Sequence, residues 1–269
     1  MAQNKKIILL TSTSTRHMFI AHALNDALNL QLIVTEEKSP RITSTDGLSP
    51  EDKNLIESHF KARDKSERLY FNNFKKFPRG VKHLSLKHNT INDLETYKLI
   101  ASLKPDAIVL FGTSIIKNPL LSKYEGKIIN LHLGLSPYYK GSGTNLWPLY
   151  HEEPECVGAT IHLAVKKVDA GGILHQYRPD LTRKDTIHDI GNKVILKGGK
   201  ILPYVLEQYL NESIIPVPQY NSGGRILKIA DFTPEILRNT IQKLQNGMIS
   251  EYIEKKSFLD AQKPIIDSM

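Results

Sequence analysis

The stretch Ile129-Asn130-Leu131-His132-Leu133 places an amide and an imidazole at alternate positions among three apolar residues. On a β-strand that alternation sends the apolar side chains to one face and Asn130 and His132 together to the other. A polar pair at a strand's end in a parallel α/β sheet opens onto the crevice where such sheets bind ligands. The polar, glycine-rich residues 134–143 are then expected to fold back over it. A carboxylate, Asp169, follows in Lys167-Val168-Asp169-Ala170-Gly171-Gly172. Beside an imidazole it would raise the ring's pKa and fix its orientation. Acyl transfer to an amine needs such groups, because negative charge grows on the carbonyl oxygen while the attacking nitrogen loses a proton. Each residue alone is equally at home in a purely structural role, the histidine in a strand and the Asp-Ala-Gly-Gly run in a turn. Ser136 and Ser142 lie in no Gly-x-Ser-x-Gly elbow and read as loop residues.

The elements that would hold these groups alternate between short β-branched or leucine-rich runs and helical patterns, the mark of a parallel sheet with crossover helices. Strands are expected at 6–10, 30–35, 81–87, 106–111, 127–133, 158–165 and 172–177. Helices are expected at 15–28, 50–74, 92–103, 145–150 and 185–209. Ser49-Pro50-Glu51-Asp52 supplies an N-cap, a first-turn proline and first-turn acids for the highly charged second helix, expected to be exposed. Residues 214–219 read as a connector, Asn221-Ser222-Gly223-Gly224 as a hairpin turn, and Thr233-Pro234-Glu235 as the start of a last helix closed by Gly247. The expected organisation is a Rossmann-like α/β domain over 1–211 and a small C-terminal extension, hairpin plus helix, over 212–269.

Composition narrows the setting. Cys156 is the only cysteine, so no intramolecular disulfide or cysteine-rich zinc site can form, and a reducing, cytoplasmic location is expected. The apolar run 7–10 is too short for a signal or membrane segment. The formal charge of +8 comes from lysines scattered among acids, without an aromatic-basic recognition motif. It speaks for an anionic small ligand rather than nucleic acid.

In combination the motifs resemble the folate-dependent formyltransferases, the group that includes glycinamide ribonucleotide, methionyl-tRNA and nucleotide-sugar enzymes. Asn130-Leu131-His132, Leu135-Ser136-Pro137, Lys140-Gly141, Gly158-Ala159-Thr160-Ile161-His162 and Asp169-Ala170-Gly171 follow the family's order. The resemblance spans about 103–206. Leu133 and Gly134 depart from the family's proline and small residue, which touches loop shape rather than reacting groups. The resemblance implies a one-carbon transferase that uses 10-formyltetrahydrofolate as co-substrate and needs no metal. It makes Asn130 and protonated His132 donors to the formyl oxygen and Asp169 the group that holds and charges His132, so His132 is expected to titrate above 6.5. It also places the folate against the backbone of Gly112, Thr113, Ser114, Ile115 and Lys117, and of Val165, Lys166 and Lys167.

The acceptor is less sharply implied. The segment Thr11-Ser12-Thr13-Ser14-Thr15-Arg16-His17 lacks the glycine-rich phosphate loop of the ribonucleotide enzymes, and of the dinucleotide-dependent dehydrogenases. The residues after Tyr209 do not carry the five strands of a tRNA-binding barrel. A small-molecule amine, foremost a nucleotide-linked amino sugar, is therefore expected. Arg16 and Lys140 are the candidate contacts to its diphosphate, and Trp147, Tyr138 or Tyr139 possible stacking surfaces. Alternatives are a 10-formyltetrahydrofolate hydrolase using the same trio, and a silent folate- or nucleotide-binding module, against which the intact trio argues. The sequence leaves oligomeric state open.

Overall fold

A computed structural model describes residues 5–219 and 224–269. Nine strands are present among them: β1 (Lys6–Thr11), β2 (Asn29–Glu36), β3 (Lys82–Leu86), β4 (Ala107–Leu110), β5 (Ile128–His132), β6 (Tyr139–Gly141), β7 (Ala159–Leu163), β8 (Ile173–Tyr177) and β9 (Arg225–Leu227). The helices are α1 (Thr15–Ala27), α2 (Pro50–Tyr70), α3 (Leu94–Leu103), α4 (Leu120–Lys123), α5 (Trp147–Tyr150), α6 (Ile187–Leu210), α7 (Pro234–Gln245) and α8 (Met248–Gln262). No helix of the described residues is long and apolar enough to cross a membrane.

Seven strands form the main sheet in the order β3-β2-β1-β4-β5-β7-β8. The first five are mutually parallel, while β5–β7 and β7–β8 are antiparallel. The sheet is thus mostly, not wholly, parallel. The change of direction at β5 matters because it sets β7 directly against the Asn130-His132 strand.

Alternation divides the core. Ile7, Leu9, Ile33, Val109, Ile129 and Leu131 face α1 and α6, whereas Ile8, Leu10, Val34, Ile108 and Ile128 face α3 and α4. Asn130 and His132 continue the second row, so the polar pair emerges where α3 and α4 no longer cover the sheet. Thr186 caps α6 through a reciprocal bond with Asp189, one residue beyond the expected Asp185. Ser49 caps α2 as expected, and Pro50 occupies its first turn. That helix is largely exposed but buries Ile56 and Glu67.

The C-terminal part differs from expectation. The turn read at 221–224 lies, apart from Gly224, outside the described residues. β9 pairs parallel with β6, Tyr139 opposite Arg225, so it belongs to a two-stranded sheet with the segment that follows β5 rather than to a hairpin. Two helices follow instead of one, because Gly247, with φ of 96°, turns the chain between α7 and α8 without ending the helical region. Strands of three residues carry no periodicity to read, which is why the pairing of β6 with β9 was not anticipated.

Candidate active site

Asn130 and His132 share one face of β5, and Asp169 comes back to them from the loop between β7 and β8, at φ 48°. One carboxylate oxygen, Oδ2, accepts from Gly141 N at 2.8 Å and lies 3.5 Å from His132 Nδ1. The other, Oδ1, accepts from Asn130 Nδ2 at 3.3 Å and lies 3.4 Å from His162 Nε2. All three of the expected residues are therefore within reach of one another.

His162 is a fourth member that the sequence reading did not single out. It stands directly opposite Asn130 in the β5–β7 register, so its side chain shares that face. Its Nδ1 lies 2.8 Å from Leu163 O, and its Nε2 lies 3.2 Å from Asn130 Nδ2 as well as near the carboxylate. The signal was available: Thr160 and His162 alternate on β7 as Asn130 and His132 do on β5.

The loop after β5 is tied down by that same face. Thr160 Oγ1 donates to Gly134 O at 2.7 Å and accepts from Ser136 N at 2.9 Å. Gln176, opposite Thr160 on β8, donates to Ser136 O at 2.6 Å and accepts from Ile266 N at 3.0 Å. The C-terminal segment thus fastens the edge strand that holds the loop. Each such bond contributes about 1 kcal/mol, and leaving a partner buried and unpaired costs more.

Burial is the first influence on His132, and with His162 beside it lowers the ring's pKa below the ordinary 6.5; Asp169 and the Tyr139 carbonyl pull upward without offsetting this. The expectation of a raised pKa is corrected: the sequence shows the carboxylate neighbour but not the loss of water. Burial also opposes ionisation of Asp169, yet His132, His162 and Gly141 N together outweigh it and hold the carboxyl down at about 2. An ionised carboxylate thus sits against an imidazole that is neutral at pH 7. We expect NMR titration of His132 to give a midpoint below about 6.5, moving lower still in Asp169→Asn, because that change removes an influence that raises it. A midpoint above 6.5, or one unmoved by the substitution, would contradict this balance.

His132 Nε2 lies 3.2 Å from Tyr139 O. The donors of the pair are therefore engaged, but by bonds of 3.2–3.3 Å, at the long end for such contacts. An oxyanion placed before them would accept shorter, charge-assisted bonds in exchange.

The expected folate-contacting segments take two forms. Gly112, Thr113, Ser114, Ile115 and Lys117 form the loop after β4, held by Glu36, which accepts from Ser114 N at 3.1 Å, and by Asn92, which accepts from Lys117 N at 2.7 Å. Ile115 is exposed while Ile116 enters the core. Val165, Lys166 and Lys167 follow β7 and are not buried, and Val165 and Val168 leave apolar surface open. Exposed apolar side chains on both segments suit a flat heteroaromatic ligand.

The other candidates fare differently. Lys140 is buried in β6 with Lys167 and Asp169 nearby, and burial lowers its pKa, so it is not a solvated lysine. Tyr139 and Trp147 are buried against Cys156 and offer no stacking surface. Arg16 is mostly buried on α1 and pairs with Glu67 of α2.

The formyl transferase family model matches residues 25–206. The chain belongs to the formyl transferase family. Among curated relatives, the bifunctional polymyxin resistance protein ArnA of Wigglesworthia glossinidia brevipalpis is 32% identical over 164 residues, 55% of this chain and 23% of that protein. Methionyl-tRNA formyltransferase of Enterococcus faecalis is 32% identical over 170 residues, 60% of this chain and 52% of that one. The chain thus spans about half or less of these relatives. Solved structures share the fold: phosphoribosylglycinamide formyltransferase from Anaplasma phagocytophilum superposes with a TM-score of 0.56 at 16% identity, over 84% of this chain and 98% of that one. A sugar N-formyltransferase from a Shewanella species gives 0.56 at 14% identity, over 89% and 87%.

Proposed function

We propose that this protein transfers the formyl group of 10-formyltetrahydrofolate to the amine of a small acceptor, foremost a nucleotide-linked amino sugar, in the cytoplasm. The observation that carries the reading is the gathering of Asn130, His132 and His162 around one ionised, mostly buried carboxylate, Asp169. The amine nitrogen attacks the formyl carbon, forming the new C–N bond. Asn130 Nδ2 and His132 Nε2 then donate to the oxygen as it gains charge, a role open to a neutral imidazole. The proton leaving the amine passes, through water held at Asp169, to the folate nitrogen whose bond to the formyl carbon breaks. The products are a formamide and tetrahydrofolate.

The acceptor is tested by incubating the protein with 10-formyltetrahydrofolate and, separately, several nucleotide-linked amino sugars, glycinamide ribonucleotide, charged initiator tRNA or water alone. Folate release is followed by absorbance. We expect release that depends on an amino sugar and yields its formamide. Equally fast release in water would make the protein a hydrolase, and selective formylation of the ribonucleotide or the tRNA would replace the sugar.

A further inference from the structure

The turn between β7 and β8 that carries Asp169 is gripped from both sides. On the β7 side Leu163 N donates to Gly172 O at 2.9 Å, and a Cβ at Gly171 would come within 1.8 Å of Leu163 O, so only glycine fits that approach. On the other side runs the connector after α6. Val217 and Ile173 exchange two backbone hydrogen bonds of 2.8 Å, and a Cβ at Gly172 would meet the Pro216 ring at 2.8 Å. Two residues further along, Gln219 reaches into the turn. Its Nε2 donates to Asp169 O at 3.0 Å and to Gly171 O at 2.8 Å.

A side-chain amide nitrogen carries two N–H groups, so this one spends both on the turn. The orientation of the amide follows from its partners, since backbone carbonyls can only accept. Its oxygen, Oε1, is buried without a hydrogen-bond partner among the described residues, so of its polar atoms the donor alone is engaged.

What these two bonds hold is an unfavourable backbone. Asp169 has φ of 48°, a left-handed conformation that residues other than glycine keep only where their surroundings impose it. The contacts of the carboxylate itself impose little. Among the described residues only Gly141 N comes within 3 Å of it, at 2.8 Å, whereas Asn130, His132 and His162 stand at 3.3–3.5 Å. A side chain takes its direction from the backbone beneath it, so a turn relaxing toward ordinary φ would swing the carboxylate away from the imidazoles. Gly141 is held in its turn by β9, where it stands opposite Leu227, and Ser142 N donates to Leu227 O at 2.8 Å. The C-terminal part thus reaches Asp169 twice, at its backbone through Gln219 and at its side chain through β9.

We infer that Gln219 is a positioning residue for formyl transfer: its amide clamps the turn that aims the Asp169 carboxylate at Asn130, His132 and His162. The inference rests on the formyl-transfer reading for what the carboxylate does, but the clamp can be tested without turnover.

The test places Gln219→Met, which fills the space but cannot donate, in the whole native chain and in the Asp169→Asn background. In the native chain we expect kcat to fall at least about tenfold, with affinity for 5-formyltetrahydrofolate within a few-fold. The NMR midpoint of His132 should move lower, because the carboxylate that raises it is no longer held in place. In the Asp169→Asn background the same substitution should change kcat less than about twofold and leave the midpoint where it was, since two residues acting through one group are not additive. Melting temperature reports folding. Should Gln219→Met fail to fold, Gln219→Asn, whose shorter amide cannot span both carbonyls, carries the same comparison. Native kcat and midpoint in the folded variant would overturn the inference, as would an equal loss with and without the Asp169 carboxylate. A midpoint that moves only when that carboxylate is present, in a protein that never releases formyl, would uphold the clamp and remove the transfer reading instead.

Discussion

Asp169→Asn and His132→Ala are each expected to lower kcat at least about a hundredfold, equivalent to roughly 2.7 kcal/mol of transition-state stabilisation. Asparagine at 169 keeps the shape of the side chain and can still accept from Gly141 N, now 2.8 Å away. What it removes is the charge that holds the relaying water and keeps Asn130 Nδ2 and His132 in register. His132→Ala removes a donor to the oxyanion. Affinity for the folate should stay within a few-fold, because these groups act on charge that exists only in the transition state. Steady-state kinetics with a folate-binding measurement on the same preparations decides the matter. Near-normal turnover in either variant would take that residue out of the mechanism.

How much of this was legible beforehand differs by element. The trio was readable because alternation on β5 is a strictly local signal, and because Asp169 stands in a family motif. His162 was missed although it was quoted in that motif: its partner is set by the antiparallel register of β7 on β5, which apolar composition does not reveal. Thr160 and Gln176 look like ordinary strand residues until the loop they hold is seen above them. The burial of Lys140 could not be read because it goes with the pairing of β6 to β9, more than eighty residues later. The error over His132 has the same source. A carboxylate neighbour is visible in sequence, whereas exclusion of water is a property of the assembled core. The charged segment containing α2 was read as an exposed helix, and it is one; that it brings Glu67 and Arg63 to Arg16 needed the packing of α2 beside α1.

Gly134→Ala is expected to lower kcat/KM by about a hundredfold while the chain remains folded. A Cβ at this position would lie 2.6 Å from Thr144 Cβ and 2.7 Å from His132 Nε2, closer than carbon tolerates on either side. Neither neighbour yields readily. Thr144 is tied through its hydroxyl to the Leu133 carbonyl, and His132 is held between Asp169 at 3.5 Å and Tyr139 O at 3.2 Å. The alternative is for the loop to lift, which breaks the 2.7 Å bond from Thr160 to the carbonyl of the same glycine. Overpacking of this kind costs roughly 1–3 kcal/mol of stability, well short of unfolding a domain of this size. The effect on catalysis is larger because displacing a catalytic group by about 1 Å is enough to lose two orders of magnitude. The variant should therefore melt within several degrees of the native protein, turn over slowly, and show a shifted His132 ring resonance. Native kcat/KM together with an unshifted resonance would mean that the loop does not press on His132 as described. Leu133 and Gly134, the two places where the chain leaves the family pattern, would then have no bearing on the reacting groups.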